Sequence, residues 1–251
     1  MSAPTSSASV RSAGAPSAGS PSSGPAAPGS TVLYQVVSHL LSYPDTALIE
    51  RLPLLRAALD ECPTATPPTR GWGRRRRAPS LDPEALAGVA TLVDHLEATG
   101  LRELERSYVE TFDLSRKHAL YLSYWTDGDT RRRGEVLGRF KQAYRDTGLM
   151  VTPGGELPDY LPLVLEYAAV ADPVAGRELL VEFRPSLEML RLALEEAASP
   201  YAAAVTAVCS TLPGASPADR QAVMAMAGVG PPAEAVGLEP YDARLLPVRG
   251  K

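Results

Sequence analysis

Residues 105–148 read ERSYVETFDLSRKHALYLSYWTDGDTRRRGEVLGRFKQAYRDTG, and they predict two helices joined by an aromatic-rich connection. In the first helix, Leu104, Tyr108 and Phe112 recur at steps of four residues, which places them on one face. The connection then carries three large aromatic side chains, Tyr121, Tyr124 and Trp125. So much aromatic surface is rarely left in water, and we expect it to pack against neighbouring helices.

The second helix follows the turn signal Asp127-Gly128, and its predicted N-cap is Asp129 or Thr130. Apolar positions at helical spacing predict an inward face of Val136, Leu137, Phe140 and Tyr144. Gly148 is predicted to end this helix, because glycine adopts the left-handed conformation of a helix C-terminus without strain.

Other segments repeat the helical pattern. Thr31 is predicted to cap a first helix, and a second covers about 46–60, where Pro53 predicts a kink or a restart. Further start signals occur at Asp82-Pro83, Asp172-Pro173, Ser199-Pro200 and Ser216-Pro217. Pro185 is predicted to bend or restart the helix that begins near Pro173.

A helix over about 159–170 is apolar nearly all round, which predicts a position at the centre of a bundle. Alternating strand patterns of useful length do not occur, so the predicted fold class is all-α. We expect a single compact helical bundle over residues 31–228.

Three segments are predicted to differ from this bundle. Residues 1–30 are almost entirely Ser, Ala, Gly and Pro, without the apolar core of a secretory signal, and predict a disordered tail. Residues 63–80, PTATPPTRGWGRRRRAPS, predict an inserted loop, and residues 229–251 a loosely ordered tail. The longest uncharged run, 197–218, is too polar and too rich in proline for a membrane span, so we expect a soluble, cytoplasmic protein.

Catalytic and metal-binding patterns are missing from the sequence. The histidines, His39, His95 and His118, lack the spacing of a zinc motif, and the distant Cys62 and Cys209 predict two reduced thiols. We therefore expect neither an enzyme nor a metal or cofactor site. Two alternatives stay open: an all-α metal-dependent enzyme with a scattered site, and a nucleic-acid-associated module acting through Arg74–Arg77, which the net charge of −4 disfavours.

Two contiguous motifs carry a resemblance to a known family: SYVETFDLSRKHALYLSYWTDGDTRRRGEVL at 107–137 and GELPDYLPLVLEY at 155–167. Together they resemble the NarJ-type nitrate reductase molybdenum cofactor assembly chaperones, which belong to the TorD-like all-helical redox enzyme maturation chaperones. The resemblance implies a TorD-like bundle that binds the catalytic (alpha) subunit of respiratory nitrate reductase, including its N-terminal peptide. Such chaperones hold that subunit competent for molybdenum cofactor insertion and membrane assembly, and they neither bind nucleic acid nor insert into the membrane. A second site on the subunit stays open.

The resemblance also implies where the partner peptide binds. The candidate positions are Tyr108, Phe112, Tyr121, Tyr124, Trp125, Glu156, Asp159, Tyr160 and Glu166. His118 joins them because it lies beside two basic residues in the aromatic connection, with a local hydrogen bond as the alternative.

Two of these acids form a pattern of their own. Asp159 and Glu166 are seven residues apart, so they are predicted to share one face of the apolar helix. An acidic stripe of this kind suits a basic amphipathic peptide. The alternative, that Asp159 only caps the helix and Glu166 pairs with an internal arginine, stays open.

Overall fold

The structure, a computed structural model, describes residues 27–63, 81–127, 131–148 and 156–227. These residues form α1 (Ser30–Leu40), α2 (Thr46–Asp60), α3 (Pro83–Ala98), α4 (Leu101–Tyr108), α5 (Leu122–Asp127), α6 (Arg131–Asp146), α7 (Leu161–Glu166), α8 (Pro173–Glu182), α9 (Arg184–Glu196), α10 (Ala202–Ser210) and α11 (Arg220–Met226). The described part contains no β-sheet, and an isolated β-bridge pairs Tyr121 with Tyr160. The predicted all-α fold class is therefore confirmed.

Helix α1 packs against α2, α7 and α10, and the apolar faces of these helices form one continuous core. The prediction for the 159–170 segment is largely confirmed, because Leu161, Val164 and Leu165 of α7 are fully buried. The segment does not stay α-helical, however, since Val170 lies in a π-helical turn, Tyr167–Ala171, that follows α7. A second π-helical turn, Val109–Asp113, extends α4.

Two of the predicted helix starts are confirmed by hydrogen bonds. The carboxylate of Asp82 accepts from the backbone N–H of Glu84, and that of Asp172 accepts from Val174 and Ala175 at the start of α8. Gly148 has a positive φ of 76° just beyond α6, as a helix-ending glycine should. The chain also restarts before Pro185, because Phe183 separates α8 from α9.

Several local predictions, most of them based on a proline or a hydroxyl residue, differ from the structure. The N-cap of α1 is Gly29 rather than Thr31. Helix α2 runs through Pro53 without a restart, and the alternative prediction of a kink there stays a prediction. Helices α10 and α11 begin two or more residues after their predicted Ser-Pro signals, and Asp219 caps α11. The predicted aromatic-rich connection contains helix α5 and a short 3₁₀ helix, Arg116–His118.

Some predictions fall outside the described residues: the caps Asp129 and Thr130, nearly all of the 1–30 and 63–80 segments, and the 229–251 tail. The domain boundaries therefore stay predictions, and so does any role for Arg74–Arg77. None of the helices that the structure describes is long and apolar enough to cross a membrane.

Candidate functional site

The two sequence motifs meet at a short antiparallel contact between the strand-like residues before α5 and before α7. The backbone N–H of Leu122 donates to the Asp159 carbonyl at 3.0 Å, and that of Leu161 donates to the Leu120 carbonyl at 2.7 Å. These two bonds hold Tyr121 beside Tyr160, whose ring centroids lie 5.6 Å apart. Two segments that are far apart in sequence, with 36 positions between Ser123 and Asp159, therefore lie against each other.

A cavity of about 260 Å³ opens at this contact, and we call it the aromatic cavity. Its walls combine aromatic rings, one leucine and two carboxylates: Tyr43, Tyr108, Phe112, Asp113, Leu120, Tyr121, Glu156 and Tyr160. Five of these eight residues, Tyr108, Phe112, Tyr121, Glu156 and Tyr160, are among the ten predicted site residues. The structure thus brings half of the predicted set into one place.

Tyr108 forms the floor of the aromatic cavity. Its hydroxyl donates to the Leu41 carbonyl at 2.9 Å and lies 3.1 Å from the hydroxyl of Tyr160. Its ring packs against Phe112 at 4.8 Å and against Tyr43 at 5.5 Å, with Tyr43 nearly perpendicular to it. These contacts fix the ring positions, so the cavity is preformed rather than assembled by its ligand.

The negative charge of the aromatic cavity lies on Asp113 and Glu156. The Tyr121 hydroxyl donates to Glu156 Oε2 at 2.8 Å, which orients that carboxylate at the rim. Burial, together with the nearby charges of Glu156 and Asp113, raises the pKa of Tyr160 to about 12 against a lowering by its hydrogen bond with Tyr108. The phenol of Tyr160 is therefore neutral at physiological pH, and the exposed carboxylates of this surface are those of Asp113 and Glu156.

Asp159 does not belong to this surface, which corrects the sequence prediction. Its side chain is 0% exposed, and Oδ2 accepts from the Ser123 backbone N–H at 3.0 Å and from the Ser123 hydroxyl at 2.5 Å. The Arg133 guanidinium lies 3.8 Å from the same oxygen. Asp159 is not the cap of α7 either, because Tyr160 occupies that position. It joins the 156–160 segment to α5 and α6 as an internal anchor.

The predicted acidic stripe of Asp159 and Glu166 is therefore wrong, because one residue is buried and the other is exposed. Glu166 lies near His39, where desolvation and the charge of Arg51 lower the pKa of the histidine and Glu166 opposes them. In the part of the chain that the structure describes, Glu166 forms no ion pair, so the alternative prediction of an internal arginine partner also fails.

The other three predicted site residues lie outside the walls of the aromatic cavity. His118 Nδ1 is 3.0 Å from the Thr111 carbonyl, which matches the local hydrogen bond considered as its alternative. Trp125 donates from Nε1 to the Ala119 carbonyl at 3.0 Å and packs against the core, and its ring centroid is 6.2 Å from that of Tyr124. A role of these three in binding stays a prediction.

Sequence reasoning missed three residues of the cavity: Tyr43, Asp113 and Leu120. Asp113 and Leu120 lie inside the first motif, and their proximity to Phe112 and Tyr121 was the available signal. Tyr43 comes from the loop after α1 and carried no such signal, because only the tertiary fold brings it to Tyr108.

Metal binding and thiol chemistry find no support in the described ranges. No group of three or more His, Cys, Asp and Glu side chains there could hold a metal ion. Both cysteines are buried, and burial raises the pKa of the Cys209 thiol well above its usual range.

Comparison with known proteins points to the same family as the two sequence motifs. A sequence profile of the family described as nitrate reductase delta subunit matches residues 78–207. The probable nitrate reductase molybdenum cofactor assembly chaperone NarJ of Bacillus subtilis (strain 168) is 32% identical over 171 residues, covering 68% of this chain and 83% of that protein. This chain belongs to the nitrate reductase delta subunit family. The NarJ-type resemblance is thereby confirmed.

Two further similarities complete the comparison. The nitrate reductase-like protein NarX of Mycobacterium tuberculosis (strain ATCC 25618 / H37Rv) is 42% identical over 180 residues. The match covers 72% of this chain but 24% of NarX, so the chain spans about a quarter of that relative. A crystal structure of a putative redox enzyme maturation protein from Archaeoglobus fulgidus aligns with a TM-score of 0.49 and 21% identity, covering 71% of this chain and 91% of that one.

Proposed function

We propose that this protein is an assembly chaperone for the catalytic subunit of respiratory nitrate reductase. In this proposal it binds the N-terminal peptide of that subunit and keeps the subunit competent for molybdenum cofactor insertion and membrane assembly. The family and the name of the Bacillus subtilis relative support the chaperone role. The observation that carries the peptide site is the aromatic cavity, because residues of both family motifs converge on it.

The surroundings of the aromatic cavity suit an amphipathic peptide. Leu114, which follows Asp113, is 76% exposed, and Leu157, which follows Glu156, is 38% exposed. Exposed apolar side chains next to an apolar cavity favour a partner that covers them. The adjacent carboxylates favour a partner with basic residues, so a short basic amphipathic helix or strand matches both features.

Calorimetric titration with the N-terminal peptide of the nitrate reductase catalytic subunit from the same organism tests this proposal. We expect saturable binding at a ratio near one to one, and no binding of a scrambled peptide of the same composition. Leu114→Ser should weaken binding by about fivefold to tenfold, because it removes an exposed apolar contact at little cost to the fold. Val174→Ser is the matched control, since Val174 is also about 70% exposed but lies on α8.

The intact subunit provides the second arm of this test. If the peptide does not bind, the chaperone should still co-purify with the full catalytic subunit through another site. Absence of both interactions would refute the proposed function.

A further inference from the structure

We propose that the aromatic cavity receives one cationic side chain, an arginine or a lysine, of the bound partner. The proposal rests on the proposed function for the identity of the partner, but the chemistry of the cavity carries it independently. Among the residues that the structure describes, the cavity walls contain two carboxylates and no Lys, Arg or His. A ligand group of positive charge is the complement of such a lining.

The charges of the two carboxylates are not neutralised within the described residues. Asp113 and Glu156 form no ion pair there, and the interaction found for Glu156 is the neutral hydrogen bond from Tyr121. A purely apolar anchor in the cavity would leave these carboxylates without a charged partner. A cation would instead gain a charge-assisted contact with a carboxylate of the lining.

The aromatic walls favour the same ligand. Five rings line the cavity, those of Tyr43, Tyr108, Phe112, Tyr121 and Tyr160, and the face of an aromatic ring attracts a cation. Tyr121 already makes such a contact within the protein, because the guanidinium carbon of Arg133 lies 5.9 Å from its ring centroid, so a ligand cation would meet the other rings. The wall thus has the electronic character that a guanidinium or ammonium group requires.

The size of the aromatic cavity suits a single side chain. Its volume of about 260 Å³ is below the range of about 300–1,000 Å³ typical of pockets for drug-sized ligands. Lysine and arginine bury an alkyl stem against apolar surface while their charged end reaches a polar group. Here the stem would pass Phe112 and Leu120, and the charge would lie near Asp113 and Glu156.

A double-mutant cycle tests the proposal in the full chain. Each basic residue of the catalytic-subunit peptide is replaced in turn by a neutral analogue, citrulline for arginine and acetyl-lysine for lysine. We expect one replacement to weaken binding to the wild type by about tenfold, yet to weaken binding to the Asp113→Asn, Glu156→Gln variant by less than about twofold. Glu97→Gln, an exposed acid on α3, is the matched control and should leave the tenfold effect intact.

A second measurement does not depend on the peptide. N-acetyl-arginine amide and N-acetyl-lysine amide are titrated into the protein, and the ring resonances of labelled tyrosines are followed by NMR. We expect one of the two cations to shift the cavity tyrosines at millimolar concentration, N-acetyl-citrulline amide to shift none, and the double variant to respond to neither. The stronger cation identifies the side chain.

The two arms separate the two proposals. If the peptide binds but no basic residue couples to Asp113 and Glu156, and neither amide shifts a tyrosine, the inference is overturned while the proposed function stands. If neither the peptide nor the intact subunit binds but an amide does, the cavity is a cation site and the proposed partner is wrong.

Discussion

Removal of the buried carboxylate of Asp159 should destabilise the whole bundle. Oδ2 accepts two hydrogen bonds from Ser123 and lies 3.8 Å from the Arg133 guanidinium, all in a site that excludes solvent from Asp159. Breaking a buried charge pair by removing one partner costs about 3–5 kcal/mol. We therefore expect Asp159→Ala to lose that much of a total stability that is about 5–15 kcal/mol for a typical domain.

Asp159→Asn separates the charge from the hydrogen bonds. Only Oδ2 has hydrogen-bond donors among the described residues, and Oδ1 is buried without one. The amide oxygen of asparagine can occupy the position of Oδ2 and keep both bonds from Ser123, so this variant loses the charge and places an amide NH2 group at the buried position of Oδ1. We expect a cost of about 1–2 kcal/mol, well below that of the alanine variant.

Urea unfolding followed by circular dichroism at 25 °C measures both variants. With a slope of about 2 kcal/mol per molar urea, the midpoint of Asp159→Ala should fall by about 2 M. Glu166→Ala is the control, because this exposed acid should change stability by less than about 0.5 kcal/mol. A midpoint of Asp159→Ala within the error of the wild type would refute the assignment of Asp159 as an internal anchor.

Two further predictions concern packing and pH. A Cβ added at Gly176 would lie 2.4 Å from the Cα of Ala168, so Gly176→Ala should lower the stability measured by thermal unfolding by about 1–3 kcal/mol. Gly138→Ala on α6 is the control, because a Cβ there meets nothing within 4 Å and should be neutral or stabilising. Equal stabilities of the two variants would contradict the close approach at Gly176. Burial raises the pKa of Tyr160 and of Tyr201 from an ordinary value near 10 to about 12, so the folded protein retains protons that the unfolded chain loses above pH 10. The contribution of these tyrosines to the free energy of unfolding should be fully present below pH 10 and should fall between pH 10 and 12, by about 1.4 kcal/mol per pH unit for each tyrosine. Tyr160→Phe should make this decline less steep in urea titrations at pH 10 and 11.

The helices were predictable because their signals are local. Asp82 and Asp172 satisfy backbone N–H groups two or three residues away, so a window of a few residues contains the whole interaction. The burial of α7 was equally readable, since a helix without a polar face has no solvent-facing orientation. Pro53 shows the limit of such rules, because packing of Leu52 and Leu55 in the core maintains α2 across a proline that local propensity disfavours.

The role of Asp159 was not predictable from local sequence. An aspartate before an apolar helix is a typical N-cap, and the sequence offers no sign that Ser123, 36 residues earlier, supplies better donors. Helix α5 was missed for a related reason. Its six residues are too few to show a helical period, and it is held by contacts with α6 and α9 rather than by its own propensity.

Glu156 and Asp159 have different roles, because Asp159 is the buried anchor of the 156–160 segment. Asp159 fixes the 156–160 segment against α5, and the same segment presents Glu156 to the Tyr121 hydroxyl at the rim of the aromatic cavity. One acid of the second motif therefore stabilises the fold, and the other is free to meet a partner. Glu156→Gln should reduce peptide binding while leaving the urea midpoint within about 0.3 M of the wild type. Asp159→Asn should instead lower the urea midpoint. A Glu156→Gln variant that unfolds as readily as Asp159→Ala would show that the rim carboxylate is structural, and the cation site would then lose its principal charge.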